Sequence, residues 1–373
     1  MNIALWGTGN MGKYIEGQIR KNKNYFIKYF VDKNPSLWGK QVDGVEIISP
    51  ENLQKCFSKE LDFVLVAFTR AVSIYNQLLD MKINRFGFIT DKVFTDQLNL
   101  ENDLFQDKNI LWHGATDRPL MRSLETNIVD GCNLNCRGCS HFSNLFDRDA
   151  KIPFDTFCKD LKQISEHVIL RQLDMLGGEP ILNDRIIEYF DFARKIFPDS
   201  EIKLITNGLL IPQQSTNFFR SCIDNNIHII ITVYKPTLAL MDKISGKLEK
   251  NEVSYSFRWT KEKFGKNIDL TGSADKDKAV KSCRESKCHF LREGKIFKCP
   301  FEALGNKLFE HYGVPIKFQG GIDIYDKNLD WNKMLNDLYY NPIDSCKYCG
   351  EEEKMEWSAT NAPTLDDWVV KGR

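Results

Sequence analysis

Residues 130–142 read DGCNLNCRGCSHF, and three cysteines within this stretch set the chemistry of the chain. Cys132, Cys136 and Cys139 are spaced C-x3-C-x2-C and come directly after the segment LETNIVD (124–130), which is typical of a β-strand. A loop that follows a strand can turn three thiolates towards one point. Three thiolates on a four-iron cluster leave one iron open to a substrate or cofactor. The spacing therefore predicts an open iron–sulfur site.

The composition is that of a folded chain without an export signal. It has 373 residues, 42% of them hydrophobic, with 51 basic and 51 acidic side chains. At roughly 100 to 200 residues per domain, two or three domains are expected. The zero net charge predicts no partnership with nucleic acid or membrane, and we expect a cytoplasmic protein because no signal peptide or membrane span is evident. Eleven cysteines in that compartment indicate metal or redox chemistry.

Strand and helix patterns alternate between residues 124 and 257. The cysteine loop is followed by a predicted helix over Phe154–His167. Predicted strands, separated by helical segments, cover Ile169–Leu176, Ile202–Thr206, Ile227–Val233 and Ser254–Phe257. Regular βα repetition predicts a parallel sheet or barrel. After about Gly272 this rhythm stops, and five cysteines follow.

The first 95 residues predict a separate α/β unit. A strand predicted over residues 3–6 is followed by Gly7, Gly9 and Gly12 in a GxGxxG pattern. A second strand, predicted over Phe26–Val31, is followed by Asp32. In this context the glycines let a pyrophosphate approach the helix N-terminus, and the acid accepts hydrogen bonds from ribose hydroxyls. The pattern predicts a bound nucleotide or nucleotide-sugar, although the same glycines also serve plain helix–strand packing. Residues 32–53 resemble the Rossmann-like domain found ahead of sugar acyltransferases and other surface-polysaccharide enzymes.

Residues 124–260 resemble the radical S-adenosylmethionine (radical SAM) superfamily through the cysteine loop and the segments GGEP (177–180) and ITNG (205–208). The resemblance implies a partial (β/α)6 TIM-like barrel. It also implies a 4Fe-4S cluster held by the three cysteines of the loop, with S-adenosylmethionine on the fourth iron. Reductive cleavage of this cofactor gives a 5'-deoxyadenosyl radical, which removes a hydrogen atom from substrate.

The same resemblance suggests the residues that contact the cofactor. Gly177 and Gly178 permit close backbone approach, so that carbonyl groups and Glu179 can receive the methionine ammonium. Asn207 is expected near the ribose or the carboxylate. The residue before the third cysteine is often aromatic in the superfamily but is Gly138 here. Phe142 is the candidate to take the place of that aromatic ring near adenine.

A second set of cysteines lies in the last hundred residues. Cys283-x10-Gly294-x4-Cys299, followed by Cys346-x2-Cys349, resembles the auxiliary-cluster domains called SPASM and Twitch. The resemblance implies a second 4Fe-4S cluster on these four thiolates, as in the shorter Twitch form. A zinc ion with four thiolate ligands fits the same spacing and stays an alternative. Cys288 lies between two of these ligands and is a candidate catalytic hydrogen-atom donor or alternative ligand.

Together these patterns predict an α/β chain of four segments: a Rossmann-like nucleotide-binding domain (1–95), a linker (96–123), a radical SAM partial barrel (124–272) and an auxiliary-cluster domain (273–373). The last two resemble radical SAM proteins of bacterial capsule and surface-glycan gene sets. This resemblance implies oxidation or epimerisation of a sugar, cyclitol or nucleotide-linked sugar, with flavodoxin or ferredoxin as reductant. A peptide-modifying radical SAM maturase and a non-enzymatic sensor are the alternatives.

Overall fold

The computed structural model describes residues 1–67, 74, 77–78, 80–89, 104, 110–113, 118–258, 262–283 and 288–370. The chain divides into two compact units, residues 1–120 and 121–373. The four predicted segments are finer than this division and stay predictions. Most of the predicted linker lies outside the described residues.

The first unit is built on a sheet that has seven strands over the described residues. In pairing order these are Gln41–Val42, Val45–Ile48, Phe26–Val31, Asn2–Trp6, Phe63–Val66, Phe86–Ile89 and Ile110–His113. All neighbours are parallel except at the two edges, where the pairing is antiparallel. The central strand, Asn2–Trp6, is buried from its second residue onwards because it is apolar on both faces. The strands predicted from residues 3 and 26 are confirmed.

Two α-helices pack on this sheet within the described residues, Asn10–Ile19 and Pro50–Glu60. The second begins after Ser49, whose hydroxyl accepts a hydrogen bond from the Asn52 N–H at 3.1 Å and so caps the helix. The first places Ile15 and Ile19 in the same apolar cluster as the central strand. This packing fixes the glycine turn between strand and helix.

The second unit is built on a larger sheet, with eight strands over the described residues. In pairing order these are Tyr255–Arg258, Ile227–Thr232, Glu201–Thr206, Gln172–Gly177, Leu124–Val129, Phe290–Arg292, Lys295–Phe297 and Ile322–Asp323. The first five strands are parallel to their neighbours and follow the reverse of their order in the chain. Their carboxyl ends therefore share one edge of the sheet. The mixed α/β class is as predicted, and no helix among the described residues is long and apolar enough to cross a membrane.

Helices connect the parallel strands as the alternating pattern predicts. The connecting helices are Phe154–His167, Ile186–Ile196, Thr216–Asp224, Lys235–Leu238 and Met241–Lys250. Further helices of the second unit follow the strand Tyr255–Arg258: Lys276–Ser282, Pro300–Tyr312 and Trp331–Tyr340. The strand predicted over Ile169–Leu176 is divided in two. Ile169–Leu170 pairs with Leu120–Met121, whereas Gln172–Gly177 pairs with Leu124–Val129. The division arises because the two halves bond to different partners.

The end of the chain returns to the cysteine loop. Cys349–Glu356 pairs antiparallel with Lys263–Ile268. Beyond it, Ala359 forms an isolated bridge with Cys136, and Val369 forms one with Ile268. The last described residues therefore belong to the same packed unit as the cysteine loop.

Candidate metal centre

The loop with the first three cysteines begins where the strand Leu124–Val129 ends. Cys136 is buried, and Cys132 and Cys139 are half-buried. Burial is the largest cause that raises the pKa of Cys132 well above its usual range, and the nearby charges of Glu179 and the other two thiols add to it. Burial, followed by the charge of Cys139, raises the pKa of Cys136 to about 12. The structure thus brings these three predicted ligands together.

This donor set fits an iron–sulfur cluster. Among the described residues, no group of three or more His, Cys, Asp or Glu side chains converges closely enough to hold a single metal ion. A four-iron cluster is much larger than one ion, so its ligands need not meet at a point. Thiolate is the form that binds metal, and burial beside two other thiols disfavours it. The positive charge of bound iron offsets that cost.

Gly177 and Gly178 lie against the backbone from which the cysteine loop starts. A Cβ atom added to Gly177, whose φ is +145°, would stand 1.8 Å from the carbonyl oxygen of Val129, and one added to Gly178 would stand 2.1 Å from that of Gly131. The Gly178 N–H donates to Val129 O, and the Glu179 N–H donates to Gly131 O, both at 3.0 Å. Glycine is therefore required for packing the GGEP segment onto the cysteine loop.

Glu179 is fully buried beside this loop. Its carboxylate accepts hydrogen bonds from the Thr206 hydroxyl at 2.7 Å, the Asn207 N–H at 2.9 Å and the Ile181 N–H at 3.1 Å. Burial raises the pKa of Glu179 to about 7, while these hydrogen bonds act in the opposite direction. The carboxylate is thus held rigidly near Cys132. Its predicted contact with a methionine ammonium stays a prediction.

Asn207 connects the carboxyl end of the strand Glu201–Thr206 with the cysteine loop. Its side-chain N–H donates to Oδ1 of Asn133 at 2.6 Å and lies 3.9 Å from Sγ of Cys132. The Thr237 hydroxyl donates to the Asn207 carbonyl at 2.8 Å. This amide is therefore positioned at the cysteine site, and its predicted contact with the ribose or the carboxylate stays a prediction.

Tyr234 is a residue of this site that the sequence analysis did not select. It follows the strand Ile227–Thr232, at the edge of the sheet where Asn207 follows the neighbouring strand. Burial raises its pKa well above the usual range, and the charges of the three loop cysteines and Glu179 act in the same direction. Its ring is stacked on that of Phe264, with centroids 6.2 Å apart. Its position directly after a predicted parallel strand was the sequence feature that could have indicated its place at this site.

Phe142 and Gly138 occupy different surroundings within the loop. The Phe142 ring is 1% exposed and packs between Phe301 and Trp368 in an apolar core. Gly138 has φ +63°, and an added Cβ would stand 2.7 Å from the carbonyl oxygen of Asp367. The backbone of Asp367 therefore occupies the space beside position 138, where the superfamily often has an aromatic side chain. The predicted contact of Phe142 with adenine stays a prediction.

Three cysteines of the second set lie near a buried lysine. Lys298 is 1% exposed and donates to the carbonyl of Leu338. Burial lowers its pKa, and the charges of Cys346, Cys299 and Cys283 oppose that shift. These three predicted ligands therefore share one neighbourhood. Of the remaining two, Cys349 begins the strand Cys349–Glu356, and Cys288 is half-buried ahead of the strand Phe290–Arg292.

The residues of the predicted nucleotide fingerprint meet in the first unit. Gly7 has φ +121°, and an added Cβ on Gly12 would stand 2.0 Å from its carbonyl oxygen. The space beside Gly9 is open, with nothing within 4 Å of an added Cβ. The Thr8 hydroxyl donates to Oδ2 of Asp32 at 2.6 Å. The turn and the acid at the end of the second strand are therefore adjacent.

Comparison with known proteins gives matches to both units. Residues 122–255 match the family described as a 4Fe-4S single cluster domain, and residues 1–87 match the family described as C2185-like, N-terminal. The chain is 25% identical over 115 residues to a GTP 3',8-cyclase of Heliobacterium modesticaldum, covering 30% of this chain and 35% of the relative. It is 29% identical over 93 residues to that of Clostridium acetobutylicum, covering 25% and 29%. A radical SAM assignment is thereby supported. The chain spans about a third of the length of these relatives.

Three solved structures have weaker similarity. BtrN in an open conformation has a TM-score of 0.37 at 15% identity, covering 63% of this chain and 94% of its own. The enzyme anSMEcpe with bound AdoMet has a TM-score of 0.29 at 16% identity, covering 36% and 43%. UDP-D-quinovosamine 4-dehydrogenase from Vibrio fischeri has a TM-score of 0.24 at 19% identity, covering 27% and 88%. These TM-scores are too low to carry a functional conclusion.

Proposed function

We propose that this chain is a radical SAM enzyme that oxidises or epimerises a sugar, a cyclitol or a nucleotide-linked sugar. The proposal is carried by one observation. Cys132, Cys136 and Cys139 gather beside Glu179 and Asn207, at the carboxyl ends of neighbouring parallel strands. The match of residues 122–255 to a 4Fe-4S family gives independent support.

The three loop cysteines hold the first 4Fe-4S cluster in this proposal. A cluster held by these cysteines, with S-adenosylmethionine bound, would supply the radical chemistry that removes a carbon-bound hydrogen from substrate. Glu179 is a fixed, buried acceptor whose charge complements the methionine ammonium. Asn207 presents its side-chain amide to the cysteine loop beside Glu179. Gly177 and Gly178 keep the two segments in contact, and a flavodoxin or ferredoxin serves as the reductant.

Cys283, Cys299, Cys346 and Cys349 hold the second cluster in this proposal, within a Twitch-like domain after a partial barrel. The Lys298 ammonium offsets the negative charge that these thiolates bring into a buried region. A cluster here supplies a one-electron acceptor, which suits oxidation of an alcohol carbon to a ketone. Epimerisation instead requires a hydrogen donor on the other face of the substrate, for which Cys288 is the candidate.

The first unit binds a nucleotide or the nucleotide part of the substrate in this proposal. Support comes from the glycine turn, the open space at Gly9 and the position of Asp32 beside Thr8. We expect saturable binding of UDP or a UDP-sugar in isothermal titration calorimetry, with weaker binding in Asp32→Ala because its acceptor for ribose hydroxyls is lost. A flat titration with every nucleoside diphosphate would remove this part of the proposal.

Anaerobic reconstitution tests the enzymatic proposal. After iron and sulfide are added, we expect about eight irons per chain, and 5'-deoxyadenosine once dithionite and S-adenosylmethionine are supplied. Cys346→Ala is expected to reduce the iron count to about four and to uncouple cofactor cleavage from product formation. Full clusters without any 5'-deoxyadenosine, in the presence of candidate sugars, would contradict the proposed activity. About four irons plus one zinc would remove the second cluster and favour a redox-neutral reaction.

A further inference from the structure

A segment near the end of the chain forms backbone hydrogen bonds with the first cysteine loop. Residues 355–368, called the C-terminal clamp below, run alongside residues 135–139. The Arg137 N–H donates to the carbonyl of Ser358, and the Thr360 N–H donates to the carbonyl of Asn135, both at 2.9 Å. These reciprocal bonds flank Cys136, which lies opposite Ala359. The middle cysteine of the predicted cluster site is thus covered by the clamp.

Side chains lock the clamp in this position. The Arg137 guanidinium donates from two nitrogens to Oδ1 of Asp367, a carboxylate that is 1% exposed. The Trp368 indole N–H donates to the carbonyl of Cys139 at 2.8 Å. Gly138 admits the Asp367 carbonyl at a distance that a Cβ would prevent. Together these partly buried hydrogen bonds hold the clamp and the loop as one rigid element.

One bond from the clamp reaches a cysteine sulfur directly. The Trp357 indole N–H donates to Sγ of Cys136 at 3.2 Å. The indole is held from two directions, because the Trp357 backbone N–H donates to the carbonyl of Glu262 at 2.8 Å and its ring lies 5.8 Å from that of Tyr234. Cys136 is only 7% exposed, so little water competes for its sulfur. The donor is therefore fixed and partly desolvated.

We propose that Trp357 is a positioning residue that raises the reduction potential of the cluster bound through Cys136. This inference rests on the proposed function, since it requires that cluster. A cluster that takes up one electron from an external reductant gains negative charge, part of which lies on the cysteine sulfurs. An N–H group donating to sulfur stabilises that charge, and hydrogen bonds to sulfur are among the features that set iron–sulfur potentials. No covalent bond changes in this step.

Redox titration of Trp357→Phe, with Trp112→Phe in the first unit as the matched control, tests the inference. Phenylalanine keeps an aromatic ring but removes the N–H. The reconstituted full chain is titrated with dithionite and mediators, and the reduced cluster is followed by electron paramagnetic resonance. For Trp357→Phe we expect about a tenfold lower ratio of reduced to oxidised cluster at a fixed potential, which is about 59 mV for one electron. Trp112→Phe loses an indole bond to the carbonyl of Leu104, not to sulfur, and is expected to keep the wild-type potential.

A second measurement needs no folded variant at position 357. Wild-type protein carrying 15N-labelled tryptophan is expected to show a 15N coupling to the reduced cluster in pulsed spectra. Absence of this coupling, or an unchanged potential in a Trp357→Phe protein with full iron content, would overturn the inference. A wild-type chain that binds no iron at the three loop cysteines would instead overturn the proposed function, and repeating the titration in Cys346→Ala separates the two cluster signals.

Discussion

Cys136→Ala is expected to lose the first cluster entirely and to form no detectable 5'-deoxyadenosine. The reason is both chemical and structural. Three thiolates leave one iron open for the cofactor, and removing one of them leaves that cluster with two protein ligands. Cys136 also lies at the centre of the contact between its loop and the C-terminal clamp, so no neighbouring thiol can move into its place without breaking that contact.

Iron counting and a deoxyadenosine assay measure this loss. We expect the iron content to fall from about eight to about four per chain, because the second cysteine set is unaffected. Cys158→Ala is the matched control: this thiol lies on the helix Phe154–His167, outside both cysteine sets, and its replacement should leave iron and cleavage unchanged. Cleavage at the wild-type rate in Cys136→Ala would refute the assignment of the loop as the radical SAM site.

Local sequence patterns predicted those parts of the structure that depend on neighbouring residues. The helix Phe154–His167 has the predicted bounds, and the loop cysteines gather as their spacing after a strand indicates. Asn207 was selected through the resemblance of the ITNG segment, and its amide lies beside the loop because the carboxyl ends of parallel strands share one edge of the sheet. In each case the periodicity or spacing lies within a few residues of the feature that it predicts.

Contacts between distant parts of the chain were not predictable in the same way. The bond from Trp357 to Cys136 joins residues 221 positions apart, and no local pattern encodes it. Phe142 is a second example. Its predicted contact with adenine stays a prediction, but its packing against Trp368 joins two residues far apart in the sequence, and no local pattern indicated it. Residues far apart in sequence decide which way such a side chain points.

Gly177, two residues before Glu179, is the position where we expect the largest loss of stability from a single methyl group. Gly177→Ala would place a Cβ 1.8 Å from the Val129 carbonyl oxygen at a φ of +145°, a backbone region that alanine rarely adopts. Neither backbone can yield without breaking the hydrogen bond from the Gly178 N–H to Val129 O. We expect the free energy of unfolding to fall by about 3 kcal/mol or more, measured by urea denaturation.

Gly246→Ala is the matched control for this substitution. Gly246 is exposed within the helix Met241–Lys250, and nothing lies within 4 Å of an added Cβ. Alanine favours a helix interior over glycine, so this variant should be more stable than the wild type by about 1 kcal/mol. Because Val129 immediately precedes the cysteine loop, Gly177→Ala should also bind less iron after reconstitution, whereas Gly246→Ala should bind the wild-type amount. Equal stability and iron content in the two variants would mean that the GGEP segment does not position the loop.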